Sequence, residues 1–394
     1  MKALQRFFTE YLLLNIFVFT SMGLLSLVVV NISFFDPFTL AFEDFSLTDL
    51  YYAKIKNRDS IYNGPLVLVN IEQKDRYELS HLFERIQTGK PAVVALDVIF
   101  SNRKDSIADT QLQKTFRQHN NYVFSYIAAF EKSDTPVFTH SFFTARPAGY
   151  ANLVGEDPET STIRYYYPGF AGQWSFTSRI MGAYNAALLP KAQNKPVEIH
   201  YWGNLGNFRF YDATEIEDPD FDCSVFRGKI VLAGYLGPAA ASEKLRIDED
   251  KFFTPLNDRM SGRSYPDMYG TVIHDNILRM LLDKDLIHVV PLWLVLLLTW
   301  IIIWLLLPFM TALFLKGDVW FNAVGTLVQL FGSILAVFFS IMLYRFAKIK
   351  FDPALLTACL VLLPTFINLY EALLKFLRLK LKIKFHSLFL QNTT

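Results

Sequence analysis

The sequence predicts an α/β domain, a mixed and largely parallel sheet flanked by helices, carried outside the cytoplasm on four transmembrane helices. Three observations predict it. Four long apolar stretches are free of Lys and Arg, the segment between the first two alternates strand and helix patterns, and positive charge gathers at both chain ends. Over 394 residues the chain is 52% hydrophobic and 16% aromatic with a mean hydropathy of +0.24, values that point to membrane segments before a wholly soluble chain.

Residues 1–10 carry Lys2 and Arg6 and read as a cytoplasmic N-terminus. The first apolar stretch, 11–32, exits through Val30-Asn31-Ile32-Ser33-Phe34, which lacks a small-residue cleavage pattern. We therefore expect an uncleaved anchor rather than a secretory signal. Spans at 291–310, 321–343 and 353–372 complete the set, since about 20 apolar residues cross a bilayer as a helix. The tail 373–394 carries Lys375, Arg378, Lys380, Lys382 and Lys384 without an acidic residue, which places it in the cytoplasm by the positive-inside rule. Arg345, Lys348 and Lys350 then fall outside, a local exception. Asn15, Gln329 and Asn368 within the spans are polar but uncharged, so helix–helix contacts are expected of them rather than conduction. Pro308 and Pro364 are positioned to kink their helices.

The remaining segment, 33–290, is the external domain. After a Phe- and Tyr-rich lead-in over 36–60, Leu66–Ile71 is a short continuous apolar run, as in a strand buried on both faces. Leu79, Leu82, Phe83 and Ile86 recur at helical spacing over 74–88, and Gly89 closes that pattern. A second strand at 92–100, a helix over 107–118 and a strand at 121–128 follow with short connections, the pattern of a parallel sheet. The Pro-, Gly- and Tyr-rich text from 136 to 170 predicts antiparallel hairpins. A helix over 174–188, strands near 197–202, 207–212 and 229–234, a long loop at 236–262 and a helix over 268–284 lead into the second span.

Several function classes are excluded or left without support. Lys and Arg number 38 against 37 Asp and Glu, so there is no basic footprint for nucleic acid. The two cysteines, Cys223 and Cys359, lie in different regions and form no disulfide framework. No nucleophile–base pair, HExxH or CxxC spacing occurs, and His81, His119, His140 and His200 lack metal-ligand spacing. We expect no enzyme, no cofactor and no metal. Asp97 is the sharpest candidate, a carboxylate late in an apolar strand, where open sheets bind ligands; the alternative is a turn or a helix cap. Gly234-Tyr235-Leu236-Gly237 lacks the Gly-Lys-Ser/Thr ending of a phosphate loop. Arg164, beside Tyr165, Tyr166 and Tyr167, suits an anion, a cation–π contact or an ion pair. His274, Asp275 and Asn276 are consecutive on a helix and point different ways, so they form no compact site alone, although His274 is a candidate pH-responsive group.

The order and wording of this region resemble the CHASE type-2 domain, an extracytoplasmic sensory module of bacterial receptors. The likeness rests on Val93-Val94-Ala95-Leu96-Asp97-Val98-Ile99-Phe100-Ser101, then Gly228-Lys229-Ile230-Val231-Leu232-Ala233-Gly234. It continues in Phe253-Thr254-Pro255-Leu256 and Met268-Tyr269-Gly270-Thr271-Val272-Ile273-His274-Asp275-Asn276-Ile277-Leu278, with a hairpin from Tyr150-Ala151-Asn152 through Arg164. It covers roughly 40–290. The resemblance implies an inner-membrane protein with its domain in the periplasm. Asp97, Ser101, Arg164 and Tyr235 become ligand-facing candidates, and the helix with His274, Asp275 and Asn276 a signal-coupling element. Family members usually continue into a cyclase or kinase, whereas this sequence continues into a basic tail too short to fold alone. The expected role is a sensor that signals through its spans to another membrane or envelope protein, with homodimerisation included. The alternative is a docking subunit of an envelope complex. The segment from Tyr235 departs from the family, so ligand specificity is not inherited. Leu374, Leu377, Leu381 and Phe385 at near-helical spacing also suit the tail to a lipid surface.

Overall fold

The structure is a computed structural model that describes residues 2–31, 46–52, 56, 60–130, 135–143, 148–153, 162–190, 194–238, 250–257, 265–380, 382 and 387–390. The chain divides into two compact units, Asp44–Ile287 and the combination of Met1–Glu43 with His288–Thr394. Its first helix, α1 (Lys2–Asn31), belongs to the second of these.

The first unit opens with a single turn, α2 (Leu47–Leu50). The alternation read from the sequence then follows as β1 (Leu66–Asn70), α3 (Arg76–Thr88), β2 (Val93–Asp97), α4 (Ser106–Gln118) and β3 (Tyr122–Tyr126). Next come β4 (Ala148–Tyr150), the short β5 (Tyr165–Tyr166), β6 (Gly169–Phe170) and β7 (Gln173–Trp174), α5 (Phe176–Tyr184) and β8 (Val197–Glu198). The unit closes with β9 (Phe210–Asp212), α6 (Ala213–Glu217), β10 (Ile230–Gly234), β11 (Lys251–Phe252), β12 (Met268–Tyr269) and α7 (Gly270–Leu282). Six strands form one sheet in the order β4-β3-β2-β10-β1-β9, and every pairing in it is parallel.

Strand side chains alternate between two faces. Val67, Val69, Val94, Leu96, Phe124, Val231 and Ala233 join Leu82, Phe83 and Ile86 of α3 and Leu112 and Phe116 of α4 in one core. The intervening Leu66, Leu68, Ala95, Ile230 and Leu232 are equally buried on the opposite face, where α5 and α7 pack. Burial on both faces is why these strands read as continuous apolar runs. Helix α3 starts with a reciprocal cap: the Asp75 carboxylate accepts from the Tyr77 and Glu78 amides at 2.8 and 2.9 Å, while Glu78 accepts from the Asp75 amide at 2.8 Å.

Three sequence expectations change in detail. Gly89 keeps helical dihedrals, and the left-handed residue that turns the chain is Lys90, with φ 57°. Glycine at 89 answers to space instead, because a Cβ there would sit 2.1 Å from the Cys223 carbonyl oxygen. The 136–170 region supplies β4, which extends the main sheet in parallel, while β6–β7 is the antiparallel hairpin and β5 pairs with β8. The strand expected over 197–202 stops at Glu198, since Tyr201 and Trp202 are committed to other contacts. Much of the 36–60 lead-in, residues 154–161 of the expected hairpin, and 239–249 and 258–262 of the long loop lie outside the described residues.

In the second unit, α8 (Leu292–Lys316), α9 (Asp318–Met342) and α10 (Ala354–Leu379) join α1 to give four helices long and apolar enough to cross a membrane. Asn15 Nδ2 donates to the Trp300 carbonyl at 3.1 Å and Gln329 Nε2 to the Val361 carbonyl at 2.7 Å, so both make helix–helix bonds. Asn368 is exposed on α10. Strand β13 (His288–Val289) pairs in parallel with β14 (Ile349–Lys350), through His288 N–H to Lys348 O at 2.8 Å and Val290 N–H to Lys350 O at 2.9 Å. Backbone bonding thus holds the basic loop at the start of α8, the end at which the chain arrives from the domain. At the other end, the Glu10 carboxylate accepts from the Leu388 amide at 2.9 and 3.1 Å and from the Ser387 hydroxyl. Phe389 and Leu390 are buried there, with Phe389 5.4 Å from the Phe314 ring and 5.6 Å from Tyr370. This part of the tail folds back onto the bundle; Leu381 and Phe385 lie outside the described residues.

Candidate functional site

The carboxyl ends of the central strands form a register row, Asp212, Asn70, Gly234 and Asp97. Asn70 is saturated. Its Nδ2 donates to Asp212 Oδ1 at 2.8 Å and to the Gly237 carbonyl at 3.0 Å, and its Oδ1 accepts from the Leu236 and Glu72 amides, both at 3.0 Å. The turn after β10 is thereby fixed to the end of β1.

Asp97 does something different. Its Oδ2 accepts from the Thr271 hydroxyl at 2.7 Å, and Thr271 is the second residue of α7. A carboxylate beside a helix N-terminus is favoured by the unpaired amides there. Gly234 lies between them: a Cβ would come within 2.3 Å of Thr271 Oγ1 and 3.2 Å of Asp97 Cβ. Asp97 and Gly234 together seat the start of α7 at the carboxyl ends of the central strands β2 and β10. Tyr235 sets its ring edge-on to Tyr269 at 6.2 Å, beside the same helix start.

The three consecutive residues of α7 have separate environments. The His274 ring meets Phe176 edge-on at 5.6 Å; burial lowers its pKa, opposed by Asp97 and by a backbone hydrogen bond at Ala151. Asp275 is 0% exposed, neither carboxylate oxygen is hydrogen-bonded among the described residues, and burial pushes its pKa well above the carboxylate range. Asn276 accepts from the Trp202 and Gly203 amides at 2.6 and 3.3 Å and donates to the Gly203 and Val272 carbonyls at 3.0 and 2.9 Å. Ser101 is exposed on the loop beyond β2, and Arg164 pairs with Asp49 at 2.7 and 3.1 Å, anchoring α2. Neither joins the Asp97 row.

A second cluster, where the chain leaves the domain, was not singled out from the sequence. Arg279 reaches Asp283 through Nε at 3.1 Å, pairs with Asp285 through Nη2, and lies 4.7 Å from the Trp202 ring. His200 Nδ1 is 2.9 Å from Asp285 Oδ2. From the entry segment, Lys56 donates to the Tyr201 carbonyl and approaches the Tyr52 and Trp202 rings at 5.4 and 5.6 Å. Residues 200–203 therefore bind the entry to the domain, the helix α7 and the exit from it. Arg279–Asp283 has the i,i+4 spacing of a helical ion pair and was legible; His200 is remote in sequence from every partner.

Nearby, burial raises Asp267 to about 6, although it accepts from the Thr254 amide and hydroxyl at 2.8 and 2.6 Å. A groove of about 450 Å³ on the outer face of α3 is lined by Tyr77, Glu78, His81, Glu84, Arg85, Thr88 and Glu217. Among the described residues, no group of three or more His, Cys, Asp or Glu is placed to hold a metal ion.

No curated protein and no solved structure matches the chain. The family model of the CHASE2 domain matches residues 18–310, from the middle of α1 into α8. That match takes in the six-stranded domain and both helices that tether it, and the chain belongs to the CHASE2 family of extracytoplasmic sensory domains.

Proposed function

We propose that this protein is a membrane-anchored sensor that passes its signal through the transmembrane helices to a separate partner. The observation that carries this reading is the attachment of Lys56, Asn276, Arg279 and Asp285 to the single segment 200–203. The first of these belongs to the approach from α1 and the last two to the approach to α8. A ligand that binds one arrangement of that segment more tightly than another shifts both tethers together. The Asp97–Thr271 bond ties the strand ends, where open α/β sheets take ligands, to the same helix α7, so Asp97 and Tyr235 are the contacts we assign to a ligand. Ser101 and Arg164 keep at most a peripheral part.

In this reading the protein is a multi-pass component of a bacterial inner membrane, with the domain in the periplasm and the basic stretch from Lys375 in the cytoplasm. It performs no catalysis and needs no cofactor. Its partners are surrounding lipid, a second membrane or envelope protein and a second copy of itself. A docking role is the second reading, favoured by Ile127, Val137 and Phe138, which are 40%, 39% and 51% exposed along a paired edge beside β3.

Gentle detergent extraction of the tagged full chain from its native membrane, with mass spectrometry, separates the two. A kinase or cyclase recovered at near-stoichiometric yield is the expected result. Stoichiometric recovery of secretion or transport components overturns the sensory reading and makes the protein a docking subunit.

A further inference from the structure

Of the amide side chains singled out within the spans, Asn15 bonds to the Trp300 carbonyl and Gln329 to the Val361 carbonyl. Asn368 is left over. It is exposed on α10, and among the described residues its carboxamide makes no hydrogen bond. Lys375, the first basic residue of the tail, lies about two turns or ~10 Å further along the helix, so Asn368 sits at hydrocarbon depth. A carboxamide that faces lipid has neither water nor protein to bond and is disfavoured there. Asn368 also belongs to a row. Ala354, Ala358, Val361, Thr365, Asn368 and Ala372 follow one another at alternating steps of four and three, the period of a helix–helix seam. All are exposed except Ala358, which is half-buried. The Thr365 hydroxyl likewise makes no hydrogen bond among the described residues, and the Val361 carbonyl one turn before it accepts from Gln329.

We propose that α10 pairs with α10 of a second copy along this row, the two Asn368 carboxamides bonded to each other across a two-fold axis. This names the surface for the second copy in the reading above, and its part in signalling rests on that reading. Small residues let two helix backbones approach, which brings a short amide side chain within reach of its counterpart. A second copy fits better than another helix for three reasons. Two copies inserted in the same direction run their α10 helices parallel, which holds both Asn368 side chains at one depth. A carboxamide donates and accepts, so it is its own complement, and a two-fold contact uses the same patch on both copies. The row carries no charged residue, which leaves nothing for an oppositely charged helix to recognise. A single Asn in such a seam also fixes register, since any axial slip leaves both amides in hydrocarbon without a partner.

The test is oxidative cross-linking of the full chain in its native membrane, with Cys223→Ser and Cys359→Ala removing the native thiols. Thr365→Cys and Ala372→Cys, which keep Asn368, are expected to give a disulfide-linked dimer. Leu373→Cys on α10 and Leu335→Cys on α9, which are 38% and 65% exposed away from the row, serve as collision controls and are expected to give little. Asn368→Leu added to Ala372→Cys is expected to weaken pairing by about tenfold, and Asn368→Gln to restore part of it. Equal cross-linking at Leu373→Cys, or a yield that Asn368→Leu leaves unchanged, overturns the proposal. So do cross-links from the row to a different membrane protein alone. The comparison of Thr365→Cys and Ala372→Cys with Leu373→Cys leaves Asn368 in place, so it stands even where Asn368→Leu fails to accumulate. A chain that does not cross-link through the row but co-purifies with a kinase or cyclase rejects the seam and keeps the sensor. A dimer linked through the row that co-purifies with transport machinery keeps the seam and rejects the sensor.

Discussion

Asp275 is the residue whose chemistry fits least comfortably with its surroundings. A fully buried carboxyl group without a hydrogen bond disfavours its own ionisation, so its folded-state pKa is raised. The sign follows from linkage. Stability is greatest below the ordinary carboxylate value and declines as pH rises from there toward the raised one. Asp275→Asn, which cannot ionise, is expected to stabilise the full chain by ~1–3 kcal/mol near neutrality and to flatten that decline. Melting curves at several pH values decide it; a lower melting temperature at every pH would show that the carboxylate is stabilising. Asp97 shows where residue-level reading ran out. Its position late in an apolar strand was legible, but its partner Thr271 is 174 residues away, and no local pattern names such a partner. Gly89 is the converse case: it was legible as a helix end, yet its cause is the carbonyl of Cys223, brought close only by the fold.

Among the described residues, α7 carries the most buried polar groups of any element, with Thr271, His274, Asp275, Asn276 and Arg279 all at most 5% exposed. A helix docked this way is positioned by specific bonds as well as by apolar packing. Gly234→Ala is expected to cost ~1–3 kcal/mol, because the added methyl meets Thr271 Oγ1. Thr271→Ala in that background should recover part of the loss, and a double-mutant cycle of unfolding midpoints reads the coupling; strict additivity would mean that the two residues do not touch. The parallel strands themselves were legible, because burial on both faces leaves a continuous apolar signature. The pairing of β4 was not, since Ala148-Gly149-Tyr150 is too short to carry one. The basic loop of Arg345, Lys348 and Lys350 stood out as an expected exception to the positive-inside rule, and it is the loop that pairs with β13. A cysteine at Lys348 is expected to react with an impermeant maleimide added from the domain's side. Labelling only after permeabilisation would reverse that assignment.

For the whole molecule, the expected architecture of four spans and one α/β domain stands, and the least legible feature was the fate of the tail. The near-helical apolar pattern of the tail ran through Leu374, Leu377, Leu381 and Phe385 and gave no sign that Phe389 and Leu390, beyond it, would be 3% and 5% exposed against the bundle. Glu10→Ala removes the acceptor for the Leu388 amide and is expected to free that segment. Maleimide labelling of Leu390→Cys should then quicken by about tenfold or more, the equivalent of roughly 1.4 kcal/mol. Equal rates in both backgrounds would show that Glu10 does not hold the tail.

The short ladder between β13 and β14 changes what the membrane unit can feel. Without it, the chain leaving the domain would pull on α8 alone, as a cord pulls a single rod. Backbone bonds from His288 and Val290 join that chain to the connection between α9 and α10 as well. Three of the four helices share one handle. On the sensory reading proposed above, a displacement of that handle would move three helices together, as a panel tilts, and not one rod by itself.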